Sequence, residues 1–457
     1  MKTDQSKSPQ KAARFTSGAP MSHILNMTVA SSIGLIAVFS VDFIDLFFLS
    51  QLDNKNIQAA LGFTGTVLFA TISLGIGLSI AAAATVARAA GEGDQEKTER
   101  RVTNNLLYAI IISSLTGLIL WFALPAILSM LGAKAETFSL SLAYLQILVP
   151  TMPLFAVSIA SAAMLRSLGD IKRSAYVTIG GGLTNAVLDP LFIFTFGLEL
   201  QGAAIATAIA RAAMVLIGLY SLYHCHKIKI HLSVSTIKPD YKPFLTIAIP
   251  AILTNLATPI GNGYVTYVAA GYGNAVVAAW AVIARIVPLS FCASFALSGA
   301  IGPIIGQNFG AQKLNRIKQT LKDAVTFNTL YFICIWIILS LSSPWIVALF
   351  QLEGETASLV RFFLIWLSPG FGMIGYLFIA NAALNNLDKP HLSTWLNWAR
   401  ATIGTVPFVY FGAFIAGSKG LLAGQIIGGA VIAFISLYIC NKWITQLIEQ
   451  QQESKAS

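Results

Sequence analysis

Long apolar segments separated by short polar breaks fill the sequence from His23 almost to its end. Most exceed 18 residues, the length of a helix that spans a membrane, whereas strands of a membrane barrel would give alternating segments of about ten residues. The pattern predicts an all-α membrane protein with twelve transmembrane helices. The predicted spans are residues 23–52, 58–88, 103–124, 139–165, 174–197, 202–226, 244–270, 275–308, 323–344, 357–384, 391–416 and 420–446.

Basic residues are distributed unevenly between the polar breaks. The breaks on one side carry 22 Lys and Arg, and the breaks on the other side carry four. Because an excess of Lys and Arg marks cytoplasmic loops, both termini are predicted to be cytoplasmic. The other three basic residues, Arg211, Arg285 and Arg400, fall within predicted spans. Each of them could either pair with another residue to hold the helices together or take part in transport.

The sequence resembles itself at an offset of 219 residues, which aligns Leu165 with Leu384 and Gly91 with Gly310. Six spans return the chain to its starting side, so the two halves are predicted to be parallel six-helix bundles. Such repeats are typical of transporters that bind substrate between the halves. The expected divisions are a cytoplasmic tail (1–22), an N-terminal bundle (23–226), a cytoplasmic linker (227–243), a C-terminal bundle (244–446) and a second cytoplasmic tail (447–457).

The composition excludes several classes of function. Of 457 residues, 56% are hydrophobic and 11% are charged, against about 25% charged in soluble domains. The net charge of +10 is explained by cytoplasmic loops and does not indicate nucleic-acid binding. The glycine run Gly180–Gly182 lacks the residues of a phosphate loop and predicts close helix packing. No signal peptide, paired cysteines, HExxH, Walker A or nucleophile–base set is present, so neither an enzyme nor a cofactor is predicted.

Three aspartates lie clearly within spans, where a carboxylate costs roughly 2.5–3.5 kcal/mol and normally has a function. Counting from the outer helix ends at 1.5 Å per residue places Asp45, Asp189 and Thr207 at depths of about 10, 12 and 9 Å. Asn185 lies one turn from Asp189 on the same face, and Asp42 one turn from Asp45. Oxygen ligands suit a proton or Na⁺. The alternative is a polar cluster that only holds helices together.

The second half has no acid at the corresponding places, because the position equivalent to Asp45 is Tyr264. Its polar and aromatic residues predict a surface for an organic substrate, with cation–π contacts to a cationic one. Asn255, Tyr264 and Tyr267 are the candidate cavity residues. Packing and interfacial roles are the alternative for the aromatic residues.

Several short motifs occur in an order that resembles the multidrug and toxic compound extrusion (MATE) transporters, in particular the branch related to the DNA-damage-inducible protein F. The resemblance covers residues 23–446. Its motifs are Asp45 followed by Ser50-Gln51-Leu52, Ala87-Arg88-Ala89-Ala90-Gly91-Glu92-Gly93-Asp94, Asn185 with Leu188-Asp189-Pro190, Gly202-Ala203-Ala204-Ile205-Ala206-Thr207, and Gly306-Gln307-Asn308-Phe309-Gly310-Ala311.

The resemblance implies a monomeric antiporter of the inner or plasma membrane that exports cationic or amphipathic organic compounds in exchange for H⁺ or Na⁺. It implies that Asp45, Asn185, Asp189 and Thr207 form the cation or proton site. The protein as a whole is expected to contact membrane lipid and to bind no nucleic acid. Ser31 stands where the family often has proline, and Asp42 is an additional acid that could bind a proton or substrate or pair with an arginine. A lipid or lipid-linked oligosaccharide flippase is the alternative, and it would need Arg211, Arg285 and Arg400 to hold pyrophosphate.

Overall fold

The computed structural model describes the backbone of residues 13–50, 55–231 and 234–456. It describes their side chains except for residues 37–50, 55, 56, 58, 59, 234–237, 455 and 456. Every regular element of the described residues is helical. The side chains of Asp42 and Asp45, on which the sequence predictions depend, therefore lie outside the described residues.

Fifteen α-helices follow one another along the described chain. They are α1 (Pro20–Ser50), α2 (Lys55–Glu92), α3 (Gln95–Met130), α4 (Ala135–Leu148), α5 (Met152–Ser167), α6 (Ile171–Pro190), α7 (Glu199–Leu219), α8 (Val234–Ala270), α9 (Asn274–Ser290), α10 (Cys292–Gly310), α11 (Leu314–Leu349), α12 (Gly354–Phe362), α13 (Ser368–Asn386), α14 (Pro390–Ala401) and α15 (Val406–Ala456). Short turns join some of them. These are 3₁₀ turns at Arg14–Thr16 and Val149–Thr151 and π turns at Leu191–Thr195, Tyr220–Cys225 and Phe363–Leu367.

These helices form twelve transmembrane spans, as the sequence predicts. Nine continuous stretches of the described residues are long and apolar enough to cross a membrane, and the pair α9 and α10, bent by 48°, makes a tenth. One of the nine, Pro390–Ser454, has 65 residues and would be about 98 Å long if straight. It turns back at Ala416 and Gly417, whose backbone angles are not helical, and so crosses twice. Helix α1, with 31 residues, completes the twelve.

Proline and glycine explain where the spans break or pack closely. Pro150 and Pro153 lie at the 3₁₀ turn between α4 and α5, where a missing N–H interrupts the helical ladder. A Cβ atom on Gly181 would lie 2.4 Å from Cγ of Met214, and one on Gly180 would lie 2.4 Å from Cδ1 of Ile217. These glycines therefore allow α6 and α7 to approach closely, in agreement with the packing role predicted from sequence.

Three buried hydrophobic clusters form the core. Two lie within α2–α7 and the start of α8, and the third lies mainly within α8–α15. Ile24 and Met27, at the start of α1, belong to the third cluster, while further along the chain α1 packs against α6. Helix α1 thus connects the two halves. Helix α8 begins inside the predicted linker, because a helix can continue into polar sequence beyond the apolar segment.

Candidate functional site

Asp189 is completely buried in the last turn of α6. It accepts a hydrogen bond from Asn185, with 2.6 Å between Asn185 Nδ2 and Asp189 Oδ2. Asn185 is 5% exposed. A hydrogen bond to an ionised acceptor is about twice as strong as one between neutral groups. The structure thus brings the two residues together on a buried face, one helical turn apart.

Thr207 lies at the level of Asp189 on the neighbouring helix. Helices α6 and α7 run in opposite directions, and the close contact of Gly181 with Met214 aligns them. Asp189 follows Gly181 by eight residues, and Thr207 precedes Met214 by seven, so the two positions differ by about one residue's rise of 1.5 Å. Thr207 is half-buried, and its hydroxyl donates to the carbonyl of Ala203 at 2.9 Å.

The backbone beside Asp189 is irregular. Pro190 ends α6, and the next five residues, Leu191–Thr195, form a π turn. Such turns are rare and are frequent at functional sites. A Cβ atom on Gly202 of α7 would lie 2.7 Å from the carbonyl of Phe192, so α7 packs directly on this turn. Sequence reasoning did not find the π turn, for which Pro190 is the only local signal.

Asp42 and Asp45 belong to α1, which packs against α6. The contact is close at Gly34, where a Cβ atom would lie 2.9 Å from the hydroxyl oxygen of Thr178. The side chains of the two aspartates are outside the described residues, so their place in the site stays a prediction.

A cavity of about 220 Å³ lies between the two halves. Helices α2 and α5 line it from one half and α8, α10, α13 and α14 from the other. Its polar lining comprises Arg166, Ser79, Ser298, Thr254, Thr258, Asn255, Asn381, Asn385, Asn386 and Asn397. Sequence reasoning found only Asn255 among these. Four asparagines in or directly beside two predicted spans, at 381, 385, 386 and 397, were the available signal.

The predicted tyrosines are not among the residues that line this cavity. Tyr264 is half-buried and packs against the core of the second half. Tyr267 is 79% exposed. Both follow Asn255 by at least nine residues along α8, or about 13 Å. Their contact with substrate stays a prediction.

The arginines within spans have mainly structural contacts. Arg211 donates to the hydroxyl of Thr151 at 2.7 Å and lies over the ring of Phe155, 5.1 Å from its centre. Arg400 donates to the hydroxyl of Thr258 at 2.9 Å. Arg285 is exposed on α9. Arg211 and Arg400 therefore hold neighbouring parts of the helical bundle together.

The two halves make close contact at the end of the molecule where the chain begins. A Cβ atom on Gly91 would lie 2.1 Å from the carbonyl oxygen of Gln307, and one on Gly310 would lie 2.2 Å from that of Arg88. These are the two glycines that the sequence repeat aligns. Gln307 also donates to the carbonyl of Ser167 at 2.8 Å. Backbone therefore packs on backbone and closes this end.

The N-terminal segment Arg14–Gly18 lies across the same contact. Phe15 is completely buried, and its N–H donates to Oε1 of Gln307 at 2.9 Å. Asn308 and Arg316 donate to the carbonyl of Phe15, each at 3.1 Å. Arg14 donates to the carbonyl of Gly169 in the other half. The segment thus links both halves while this end is closed.

Comparison with known proteins gives the family. The MatE family model matches residues 30–191 and again residues 250–411, together well over half of the chain. The FAD transporter of Shewanella oneidensis is 28% identical over 432 residues, covering 93% of this chain and 95% of that protein. The multidrug export protein MepA of Staphylococcus haemolyticus is 23% identical, covering 91% and 92%.

The solved structures agree in fold. A multidrug resistance MATE family transporter of the MOP superfamily, in an outward-facing conformation, superposes with a TM-score of 0.91 at 21% identity, covering 97% of this chain and all of that one. The two family matches are also offset by 220 residues, which agrees with the repeat seen in the sequence. The chain belongs to the MatE family of integral membrane transporters, and it is not an enzyme.

Proposed function

We propose that this protein is a secondary active antiporter that exports small, cationic or amphipathic organic compounds in exchange for H⁺ or Na⁺. Family membership supports export, and the MepA relatives are multidrug exporters by name. The observation that carries the proposal is the fully buried Asp189 with Asn185 within a span. A carboxylate held in lipid is normally retained for an ion or substrate pathway.

The register of the helices supports Asp45 as the fourth member of the ion site. Gly34 of α1 contacts Thr178 of α6, and the two helices run in the same direction in the predicted topology. Asp45 follows Gly34 by eleven residues, and Asp189 follows Thr178 by eleven. Eleven residues are about three helical turns, so each aspartate is at the same level and on the contacting face of its helix. Asp45, Asn185, Asp189 and Thr207 would then hold one H⁺ or Na⁺.

Coupling follows if ion and substrate favour different states of the two halves. Ion binding at Asp45 and Asp189 from outside would favour release of substrate outward. Asp42, one turn from Asp45, is a candidate for a second proton or for direct contact with substrate.

The topology and assembly remain proposals. We place both termini in the cytoplasm, because 22 of the 29 Lys and Arg lie on that side in the predicted topology. We also propose two six-helix bundles, residues 23–226 and 244–446, joined by a cytoplasmic linker, residues 227–243, and flanked by cytoplasmic tails, residues 1–22 and 447–457. The protein would be a monomer in the inner or plasma membrane, with lipid around both bundles.

A flippase for lipid-linked pyrophosphate is not favoured. Arg211 and Arg400 donate to threonine hydroxyls of neighbouring helices, so they are held in structural contacts. The family match and the MepA relatives favour export of organic compounds instead.

Efflux from reconstituted vesicles tests the proposal. Vesicles loaded with a fluorescent organic cation receive either a pH gradient or a Na⁺ gradient, each without the other. Efflux driven by one gradient supports antiport and identifies the coupling ion. Absence of efflux under both gradients, with protein shown to be folded and inserted, would contradict it.

A further inference from the structure

A second cavity, of about 350 Å³, lies between the halves at the end that the Gly91–Gly310 contact closes. Helices α2 and α3 line it from the first half. The start of α8, the end of α13 and the start of α14 line it from the second. Its volume is within the range of about 300–1,000 Å³ found for ligand pockets. The cavity therefore has room for a small chemical group that contacts both halves.

The lining of this second cavity has an excess of positive charge. It contains three cations, Arg88, Arg101 and Lys242, and one carboxylate, Asp388. Arg88 and Asp388 form an ion pair of 2.6 Å. The charges of Arg101 and Lys242 are left over, so the lining favours an anionic group.

The acids behind the lining do not neutralise this excess. Asp240 lies 3.6 Å from Nε of Arg101, but it accepts two hydrogen bonds from Arg100, at 2.9 and 3.2 Å. Glu92 pairs with Lys97 at 2.5 Å. Each of these carboxylates thus comes with a cation of its own. The excess of two positive charges remains when these pairs are counted as well.

Two of the cations can be reached from solvent or lipid. Lys242 is exposed and forms no ion pair with any described residue. The side chain of Arg88 is 26% exposed. Arg101 is buried beneath them and donates from Nη1 to the carbonyl of Thr85 at 2.7 Å. Lys242 and Arg88 therefore offer N–H donors to a ligand, and Arg101 adds its charge from below.

The second cavity lies at the level where the spans leave the hydrocarbon core. Five predicted spans have an end there, at residues 88, 103, 244, 384 and 391. Every lining residue is within four positions of one of these ends, and four residues of helix rise about 6 Å. Lipid head groups occupy the layer just outside the hydrocarbon core. A lipid phosphate is therefore the anion that this place makes available.

We propose that the second cavity binds the phosphate of an anionic phospholipid from the leaflet at the closed end. Lys242 and Arg88 donate hydrogen bonds to the phosphate oxygens, and the charge of Arg101 strengthens the attraction. Basic pockets between transmembrane helices are known to bind lipid head groups. Because its walls belong to both halves, a bound phosphate holds the halves together and favours closure of this end. The site is separate from the proposed ion site and does not depend on the transported substrate.

Thermal unfolding of the purified, delipidated full-length chain in an uncharged detergent tests the proposal. The rise in unfolding temperature with ligand concentration gives the affinity. Phosphatidylglycerol should bind at least about tenfold more tightly than phosphatidylcholine with the same acyl chains, because choline offsets the charge of the phosphate. Equal affinity for the two lipids would overturn the proposal. The measurement needs no gradient, so its failure would leave the proposed antiport standing.

A water-soluble phosphate distinguishes lipid from other sources of the same group. Glycerol 3-phosphate in about tenfold molar excess should leave the affinity for phosphatidylglycerol within about twofold, because only the lipid gains from its acyl chains. Loss of phosphatidylglycerol binding in that excess would overturn the assignment to lipid.

Lys242→Gln tests the exposed cation. It should weaken phosphatidylglycerol binding about fivefold, the contribution of one basic residue near a lipid surface. Lys172→Gln is the matched control and should stay within about twofold. Lys172 is also exposed and also lies two residues before a predicted span, but it does not line the cavity. An unchanged affinity in Lys242→Gln would refute the proposal.

Asp388→Asn separates phosphate binding from a purely structural ion pair. Asn tolerates the left-handed backbone angle of this position, φ 60°, and the side chain of Asp388 is 59% exposed, so the variant should fold. It frees Arg88 from its carboxylate, and the affinity for phosphatidylglycerol should rise at least about threefold. An unchanged or lower affinity in this variant would show that the charge of the lining does not bind the phosphate.

Discussion

A carboxylate that is completely buried in a membrane span must be stabilised by its neighbours. Asp189 receives a hydrogen bond of 2.6 Å from Asn185, and hydrogen bonds to charged groups contribute about 1.5–3 kcal/mol. A serine or asparagine would hold helices together at lower cost. The presence of an acid at this place, rather than a serine or an asparagine, is why we propose ion binding and not packing alone as its role.

Replacing Asn185 by leucine tests this pair. The change removes one hydrogen bond to the carboxylate, so we expect gradient-driven efflux to fall at least about tenfold. The free energy of unfolding should fall by about 1–3 kcal/mol. Vesicle efflux and thermal unfolding in detergent measure the two effects. Asn262→Leu, on an exposed face of α8, is the control, and wild-type efflux from Asn185→Leu would speak against the pair.

A second acid, Asp170, caps α6 outside the spans. It accepts hydrogen bonds from the backbone N–H and the guanidinium of Arg173 and from His226. Burial raises the pKa of Asp170, but the hydrogen bonds and charge of Arg173, with the bond from His226, lower it more, so its pKa lies below the ordinary value. Its ionised form therefore stabilises the fold above about pH 3.9, the unfolded pKa, and this stabilisation is lost as pH falls through the folded pKa.

The variant Asp170→Asn should unfold at a lower temperature than wild type at pH 7. Asparagine can still cap the helix, so the fall in unfolding temperature measures the contribution of the negative charge of Asp170. The difference should begin to shrink below about pH 3.9, where the unfolded chain takes up a proton at this position, and it should vanish once pH falls below the lower pKa of Asp170 in the folded protein. Tryptophan fluorescence during heating between pH 3 and pH 7 measures it. A difference that stays constant across this range would contradict the assignment.

At the scale of elements, the contact of α2 with α10 depends on two glycines. Gly91 and Gly310 each lie against backbone of the opposite half, at distances that leave no room for a Cβ atom. The sequence repeat predicts that these glycines are equivalent. It does not predict that they meet, because an offset between repeats carries no information on their relative rotation.

Gly91→Ala should therefore loosen the closed end. A Cβ atom 2.1 Å from the carbonyl of Gln307 forces the helices apart, so the population open at this end should rise. Labelling of a single cysteine placed at Ser79, in the central cavity, from the side of the closed end reports the change, in a background without the four native cysteines. Gly65→Ala is the matched control on α2, since nothing lies within 4 Å of its Cβ position. Equal labelling of both variants would contradict the role of the contact.

Across the whole molecule, the sequence predicted the features that depend on lipid. Span number and the two-bundle repeat follow from the length of apolar segments and from the repeat itself, and the fold comparison agrees. The level of Asp189 and Thr207 followed from helical rise alone. The asparagine-lined cavity was missed apart from Asn255, because its residues come from six helices that only packing brings together. The contact of the N-terminal segment Arg14–Gly18 with both halves was also missed, because the tail is mostly polar and carries no periodic signal.

Two halves that meet firmly at one end and enclose a cavity suit alternating access by rocking. The proposed ion site lies within the first half, towards the end opposite the Gly91–Gly310 contact, whereas the cavity lies between the halves. Ion and substrate would thus act on one conformational equilibrium from separate places, and their coupling is the difference in their affinities for the two states.

The central claim is that Asp45 and Asp189 bind the coupling ion. The most direct test is efflux from reconstituted vesicles under an imposed pH or Na⁺ gradient for the unaltered chain, Asp45→Asn and Asp189→Asn. Both variants should remain folded but lose gradient-driven efflux by at least about tenfold, while passive exchange of substrate across vesicles without a gradient persists. Efflux by either variant at the unaltered rate under the driving gradient would contradict the account.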